Sequence, residues 1–319
     1  FGLPYYTFAM GVFYRADLFE DPDIKALYYE KYGRELRTPN HEMDWDEFYD
    51  IVKFFDEDVD DSIVPYGVGM MAGRFPHIAD EWMAMLWGLG GDHFHDDWSI
   101  AVNDPIGVDA MTRYVKFLKH APPGALESGY DAVVAQFQEG LVPVTMAFYL
   151  DQWPNVVKTE ELIPGAKVGV DTPVGGLGYQ GCFALGMCAD SKNKDATWEF
   201  LKWLAGPEGQ YSFAKGGGSS CRKSVLLNSE FATAESRPFT GHFKALHETF
   251  ELMEGLPKPY IFSLPEAGKL YVEMMIHCSL AATGTVDPKT AMDLLADSYA
   301  TILGWYPSLS PPEDWVPPE

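Results

Sequence analysis

Val144-Thr145-Met146-Ala147-Phe148 opens the stretch whose reading decides the fold, and that stretch runs on to Tyr211. The five residues are the apolar, partly β-branched kind that suits a half-buried strand. A polar corner carrying one large aromatic follows, Asp151-Gln152-Trp153-Pro154. Lys167 to Thr172 reads as a second strand. Cys182 to Cys188 reads as a third, reached through Gly175-Gly176-Leu177-Gly178-Tyr179-Gln180-Gly181. Asp190-Ser191-Lys192-Asn193 then supplies capping side chains. The helix beyond carries Ala196, Phe200, Trp203 and Leu204 at helical spacing and stops at Gly206-Pro207. An aromatic at a strand end, a glycine-rich crossover and a helix describe a chain passing between two lobes, an architecture that holds a ligand in a cleft.

Outward from this stretch, strands and helices alternate. Phe8 to Phe19 reads as a strand feeding a short helix. Asp44 caps the next helix with Glu47 three residues on, and Trp45, Phe48, Val52 and Phe55 form its core stripe. Val64 to Met71 is a strand candidate. Phe75 to Leu89 is helical, with Ile78, Trp82, Met85 and Leu86 on one face and Gly90-Gly91 as its stop. Asp104-Pro105 starts a helix striped by Val108, Met111, Val115 and Leu118 and ended by Ala121-Pro122-Pro123, and a short helix covers Val133 to Gln138. Past Gly216-Gly217-Gly218 the chain reads as mostly helical. Asp287-Pro288 opens the last helix, striped by Ala291, Leu294, Leu295, Ser298 and Ile302. Residues 304 to 319 hold prolines and tryptophans without a period and are expected to lie extended on the surface. The alternation marks an α/β protein with mixed sheets.

The chain has 319 residues, enough for about two domains. No apolar run approaches the ~20 residues of a membrane span. The 47 acidic residues against 23 Lys and Arg leave a formal charge of −24. Such a chain lacks the basic footprint that nucleic-acid phosphates or anionic lipid require. The four cysteines, Cys182, Cys188, Cys221 and Cys278, are compatible with two disulfides in an oxidising compartment and equally with small buried thiols. They allow three pairings, among which sequence does not choose.

The run from Met146 to Gln210, with Ser191-Lys192-Asn193 before Trp198-Glu199-Phe200, resembles the extracellular solute-binding proteins of bacterial ABC importers, in particular the maltose-binding-like group that takes up sugars and oligosaccharides. Gly216 to Val225, ending in Cys221-Arg222-Lys223-Ser224-Val225, and Gly11-Val12-Phe13-Tyr14-Arg15-Ala16-Asp17-Leu18-Phe19 are similar to further family segments, so that the likeness covers residues 1 to about 303. It implies a two-lobe periplasmic-binding-protein-like fold with hinge crossovers near Tyr5, Gly181 and Gly255. Residues 1–9 are then the first crossover. Residues 10–180 and 256–303 are the C-terminal-type lobe, 181–255 part of the N-terminal-type lobe, and 304–319 a Pro-rich tail. In the family, a segment like Gly2-Leu3-Pro4-Tyr5-Tyr6 lies mid-protein, so the first half of the N-terminal lobe is expected to be missing here. The implied role is capture of a sugar without altering it and delivery to the permease subunits of an ABC importer. The protein would be a periplasmic or extracellular monomer without cofactor, metal or membrane insertion. A polyol or glycerol phosphate derivative is the alternative ligand, and a secreted carbohydrate-active enzyme the alternative class.

Sugars present apolar C–H faces rimmed by hydroxyls, so aromatic platforms and planar polar groups suit them. The ligand-binding set expected on the resemblance is Tyr5, Tyr6, Trp82, Asp151, Trp153, Phe183, Arg222, Glu266 and Tyr271. Trp153 is the foremost platform, and core burial is the competing reading for every aromatic. Gly176 to Gly181 spells GxGxxG, but a strand rather than a helix follows it, which argues against a dinucleotide turn. Lys215 to Ser220 lacks the ending of a phosphate loop and reads as a turn. Asp92, His93, His95, Asp96 and Asp97 fall between helices and read as solvated rather than as a metal site. Glycoside hydrolysis needs two paired carboxylates, and no motif selects a pair from Asp80, Glu81, Asp151 and Glu266.

Overall fold

The computed structural model describes residues 2–254 and 261–318, so the crossing expected near Gly255 lies outside the described residues. One long strand organises the sheet: β1 (Leu3–Arg15) pairs along its first half with β4 (Gln180–Leu185). Along its second half it pairs with β2 (Phe148–Tyr149) and β3 (Val168–Asp171), every ladder being antiparallel. The sheet of described strands is thus antiparallel rather than mixed as expected, and the parallel bridge between Gly69 and Thr145 lies outside it. The strand reading of 64–71 is corrected to that bridge, because Gly67 and Val68 bond instead to the His120 carbonyl. The strand of 144–148 shrinks to β2 plus bridges for a similar reason: Thr145 bonds back to Phe13.

Ten helices of nine residues or more surround the sheet among the described residues: α1 (Pro22–Tyr32), α2 (Trp45–Glu57), α3 (Pro76–Gly88), α4 (Pro105–Phe117), α5 (Tyr130–Gln138), α6 (Lys194–Ala205), α7 (Pro207–Lys215), α8 (Phe243–Met253), α9 (Ala267–Ala282) and α10 (Pro288–Leu303). Asp44 caps α2 as expected, its carboxylate accepting from the Glu47 N–H at 2.7 Å. Asn193 makes no side-chain cap on α6. The buried faces of α4 and α10 are rotated from the expected stripes, toward Tyr114 and Phe117 and toward Met292 and Tyr299, leaving Leu294 exposed. In both helices bulky rings share the interior with part of the expected stripe, Met111 in α4 and Ala291 and Leu295 in α10.

Two cores result. The larger joins α2, α3, α4, α9 and α10 around Trp45, Trp82, Met111 and Tyr299. The other is built on β1 and β2 and joins Met10, Phe13, Phe148 and Trp153 to Phe243, Leu246 and Met253 of α8. The apolar stripe of α6 is a different case: Phe200, Trp203 and the neighbouring Trp198 are exposed.

The tail also departs from expectation. Trp305 is 5% exposed and packs against Phe94 and Trp315, Trp315 meets Trp98, and Ile100 donates to the Leu309 carbonyl at 2.7 Å. Residues 305–315 are thus an anchored strap, because three indoles bury more apolar surface together than an extended tail can. Trp305→Ala is expected to cost about 3 kcal/mol of unfolding free energy, measured by urea titration. An unchanged midpoint would show that the strap contributes nothing.

Among the described residues no helix is long and apolar enough to cross a membrane.

Candidate functional site

The period-two geometry of β1 puts Tyr6 and Phe8 on one face. Phe183 of β4 lies opposite, its ring stacked on Tyr6 at 5.4 Å and 23° and 5.7 Å from Phe8. Gly181 makes this possible. A Cβ there would sit 2.2 Å from the Phe8 ring, so only glycine lets the ring lie flat on the neighbouring strand. From Phe8 the aromatic contacts divide. Tyr149 meets it edge-on at 5.6 Å and Tyr179 lies at 5.9 Å, and Tyr179 in turn stacks on Tyr271 of α9 at 6.2 Å. Phe262 closes the far end against both tyrosines. Tyr5 joins at the near end, 6.2 Å from Tyr6. The result is one continuous aromatic surface from Tyr5 to Tyr271, across strands and helix that lie far apart in sequence. Phe183 is its most open ring, 54% exposed.

Two carboxylates underlie this surface. Asp151 accepts from the Tyr6 hydroxyl and from Gln152 through Oδ2, while its Oδ1 is buried without a protein partner. Burial pushes its carboxyl up, against the pull of the Tyr6 bond. Asp80, buried on α3, accepts from the hydroxyls of both Tyr149 and Tyr271. Desolvation lifts it to about 7 even so. His77 stands one turn before Asp80, its Nδ1 2.9 Å from the Tyr149 hydroxyl oxygen. Because Tyr149 gives its proton to Asp80, His77 donates through Nδ1 to the Tyr149 oxygen, and burial lowers the imidazole's pKa. The tyrosine hydroxyls resist ionisation, Tyr6, Tyr149 and Tyr271 all being raised first by burial and then by the adjacent carboxylates.

The structure gathers five of the nine expected residues here: Tyr5, Tyr6, Asp151, Phe183 and Tyr271. Trp82 and Trp153 are corrections. Trp82 is fully buried beside His93 in the helical core. Trp153 is 1% exposed: its Nε1 donates to the Arg237 carbonyl at 2.6 Å, the Arg237 guanidinium lies 5.0 Å from its ring centre, and Gly241 fits against its edge. A cavity of about 830 Å³ opens beside it, lined also by Val168, Leu226 and Phe243, but the indole offers no open face. Arg222 is exposed and donates to the Ala205 carbonyl at 3.2 Å. Glu266 stands at the N-cap of α9, one turn before Tyr271, without a side-chain cap bond.

Sequence reading missed Phe8, Tyr149, Tyr179 and His77, and held Asp80 only as one acid among many. The alternation of Tyr6 and Phe8 was the available signal. The turn from Gly176 leads into β4, the strand expected after it. His93, expected to be solvated, is buried against Tyr299, and burial depresses its pKa to about 3. Among the described residues no group of His, Cys, Asp and Glu is arranged to hold a metal.

The family model of bacterial extracellular solute-binding proteins matches residues 1–211. Solved structures share the fold. The ABC transporter solute-binding protein of Agrobacterium radiobacter K84 in complex with ribitol aligns at TM-score 0.71 and 22% identity, over 92% of this chain and 69% of that one. Maltose-bound MalE3 of T. maritima aligns at 0.73 and 20%, over 95% and 72%. The solute-binding protein of Thermotoga lettingae bound to α-D-tagatose aligns at 0.71 and 22%, over 95% and 72%.

Proposed function

Because the chain belongs to the bacterial extracellular solute-binding proteins, we propose that it captures a sugar or oligosaccharide on the Tyr5-to-Tyr271 aromatic surface and delivers it unaltered to the permease of an ABC importer. The observation that carries this reading is the pairing of open rings with acceptors held beneath them. Phe183 and Tyr6 offer flat faces for sugar C–H groups, and Asp151 Oδ1, buried beneath them without a protein partner, is an acceptor for a hydroxyl hydrogen. On the family's plan the surface spans two lobes, with Phe183 on one and Tyr271 on the other. Ligand bridging them shifts the population toward a closed arrangement. The protein works outside the cytoplasm, as a monomer.

Ribitol in one structural neighbour supports a second ligand class, the acyclic polyols. These have no ring face to stack, so hydrogen bonding to Asp151 would dominate their recognition. Hydrolysis is the weaker reading, since both oxygens of Asp80 are already engaged by tyrosines.

Titration calorimetry against maltose, longer maltodextrins, tagatose, mannitol and ribitol tests the assignment. A cyclic sugar is expected to bind, to give no product, and to lose about 2 kcal/mol, or about 30-fold in affinity, in both Phe183→Ala and Tyr271→Ala. Arg222→Ala is expected to bind as the parent does. Unaltered affinity in both aromatic variants would remove this surface from the site.

A further inference from the structure

Thr7 lies between two segments that meet across β1. It is the register partner of Cys182 on β4, its hydroxyl donates to the Gly181 carbonyl at 3.0 Å, and its N–H donates to the Ser219 carbonyl at 3.1 Å. The loop holding Ser219 is itself fixed. The buried Gln210 of α7 accepts from the Ser220 hydroxyl at 2.8 Å and from the Cys221 N–H at 3.0 Å, while its amide donates to the Tyr5 carbonyl at 2.7 Å. Cys182 and Cys221 are thereby brought side by side, their Sγ atoms 3.8 Å apart. Both are reachable from solvent, Cys182 exposed and Cys221 half-buried. Cys278 is sealed in the helical core, and Cys188 is exposed beyond the end of β4.

We propose that Cys182 and Cys221 form a disulfide under oxidising conditions, stapling β4 to the loop after α7, with Cys188 and Cys278 remaining thiols. A bond needs the sulfurs at about 2.0 Å, and side-chain rotation supplies the approach while the hydrogen bonds around Thr7 and Gln210 hold the backbone in place. The oxidant is a low-molecular-weight disulfide of the glutathione class. The Cys182 thiolate attacks one sulfur of that disulfide, forming a mixed disulfide and releasing one small thiol. Cys221, deprotonated in turn, attacks the Cys182 sulfur and expels the second small thiol. Two protein thiols are oxidised, one small disulfide is reduced to two thiols, and the two cysteine protons end on the released thiols. The staple bridges a sequence separation of 39 residues, which constrains the unfolded chain. It also sits next to Phe183, so it stiffens the strand that presents the open ring of the aromatic surface. The inference does not depend on what that surface binds.

The test takes the full chain, reduces it, removes the reductant and incubates it with oxidised glutathione. Titration in denaturant is expected to fall from four thiols to two, with an intact-mass loss of about 2 Da and a single cross-linked peptide pair joining Cys182 to Cys221. The melting temperature is expected to rise by about 5–10 °C, the rise reversing on reduction. Cys221→Ser is expected to abolish cross-link and rise together, and Cys188→Ser to retain both. Four remaining thiols, glutathione adducts on Cys182 and Cys221 without a cross-link, or a cross-link through Cys188 would each overturn the proposal.

Discussion

Trp153→Ala is expected to destabilise the protein by about 5 kcal/mol, at the upper end of what a large-to-small core substitution costs. The reason is the indole's position. It is 1% exposed, packs against Phe13, donates to the Arg237 carbonyl, and lies under a guanidinium that also pairs with Glu160 at 2.9 Å. Removing it leaves a cavity between the sheet and the segment carrying Gly241, while the Arg237 carbonyl keeps only its bond from the Gly241 N–H at 3.0 Å. Urea unfolding followed by circular dichroism measures the loss. A binding platform would behave differently: its removal would leave the midpoint almost unchanged and weaken the ligand alone. That outcome would return Trp153 to the site.

Glu81→Gln is expected to gain stability relative to the parent as pH rises, by on the order of 4 kcal/mol between pH 5 and 8. Glu81 is fully buried, accepting from the Met71 N–H at 2.9 Å and from the Tyr114 hydroxyl at 2.7 Å, and desolvation lifts its carboxyl from 4.5 to about 8. A carboxyl raised on folding binds its proton more tightly in the folded state. Its contribution is therefore intact below the unfolded value and is lost as pH climbs toward the folded one. Glutamine has no proton to lose, so the variant escapes that loss. His93 and His242, both depressed to about 3 by burial, push the parent's stability the other way below neutrality, but they are common to both proteins and cancel in the difference. Paired urea titrations at the two pH values give that difference directly. A constant difference would mean that Glu81 ionises in the folded protein as it does in water.

The order of helices and the β3–glycine–β4 passage were legible because local signals state them. Asp44 with Glu47, Pro105, Gly206-Pro207 and Pro288 mark helix ends whatever the rest of the chain does. The acidic balance of 47 Asp and Glu against 23 Lys and Arg likewise argued against a phosphate-rich partner before any fold was considered. Which apolar residues face inward was less legible. Periodicity orients a stripe, but packing against a particular neighbour decides it. Hence Tyr114 and Tyr299 share the buried faces of their helices with part of the expected stripes, and Phe200 and Trp203 stand exposed on α6.

By itself the sequence determined an α/β chain of solute-binding type with Tyr5, Tyr6, Asp151, Phe183 and Tyr271 as its binding candidates. Only the tertiary structure decided that Trp153 is core and that Phe8, Tyr149 and Tyr179 belong with those candidates. It alone brought Cys182 beside Cys221. The physical reason is common to all three. A ring, a carboxylate or a thiol acquires its role from what lies against it, and here those neighbours come from elements distant in sequence, as Tyr271 of α9 and Asp80 of α3 are, 191 residues apart.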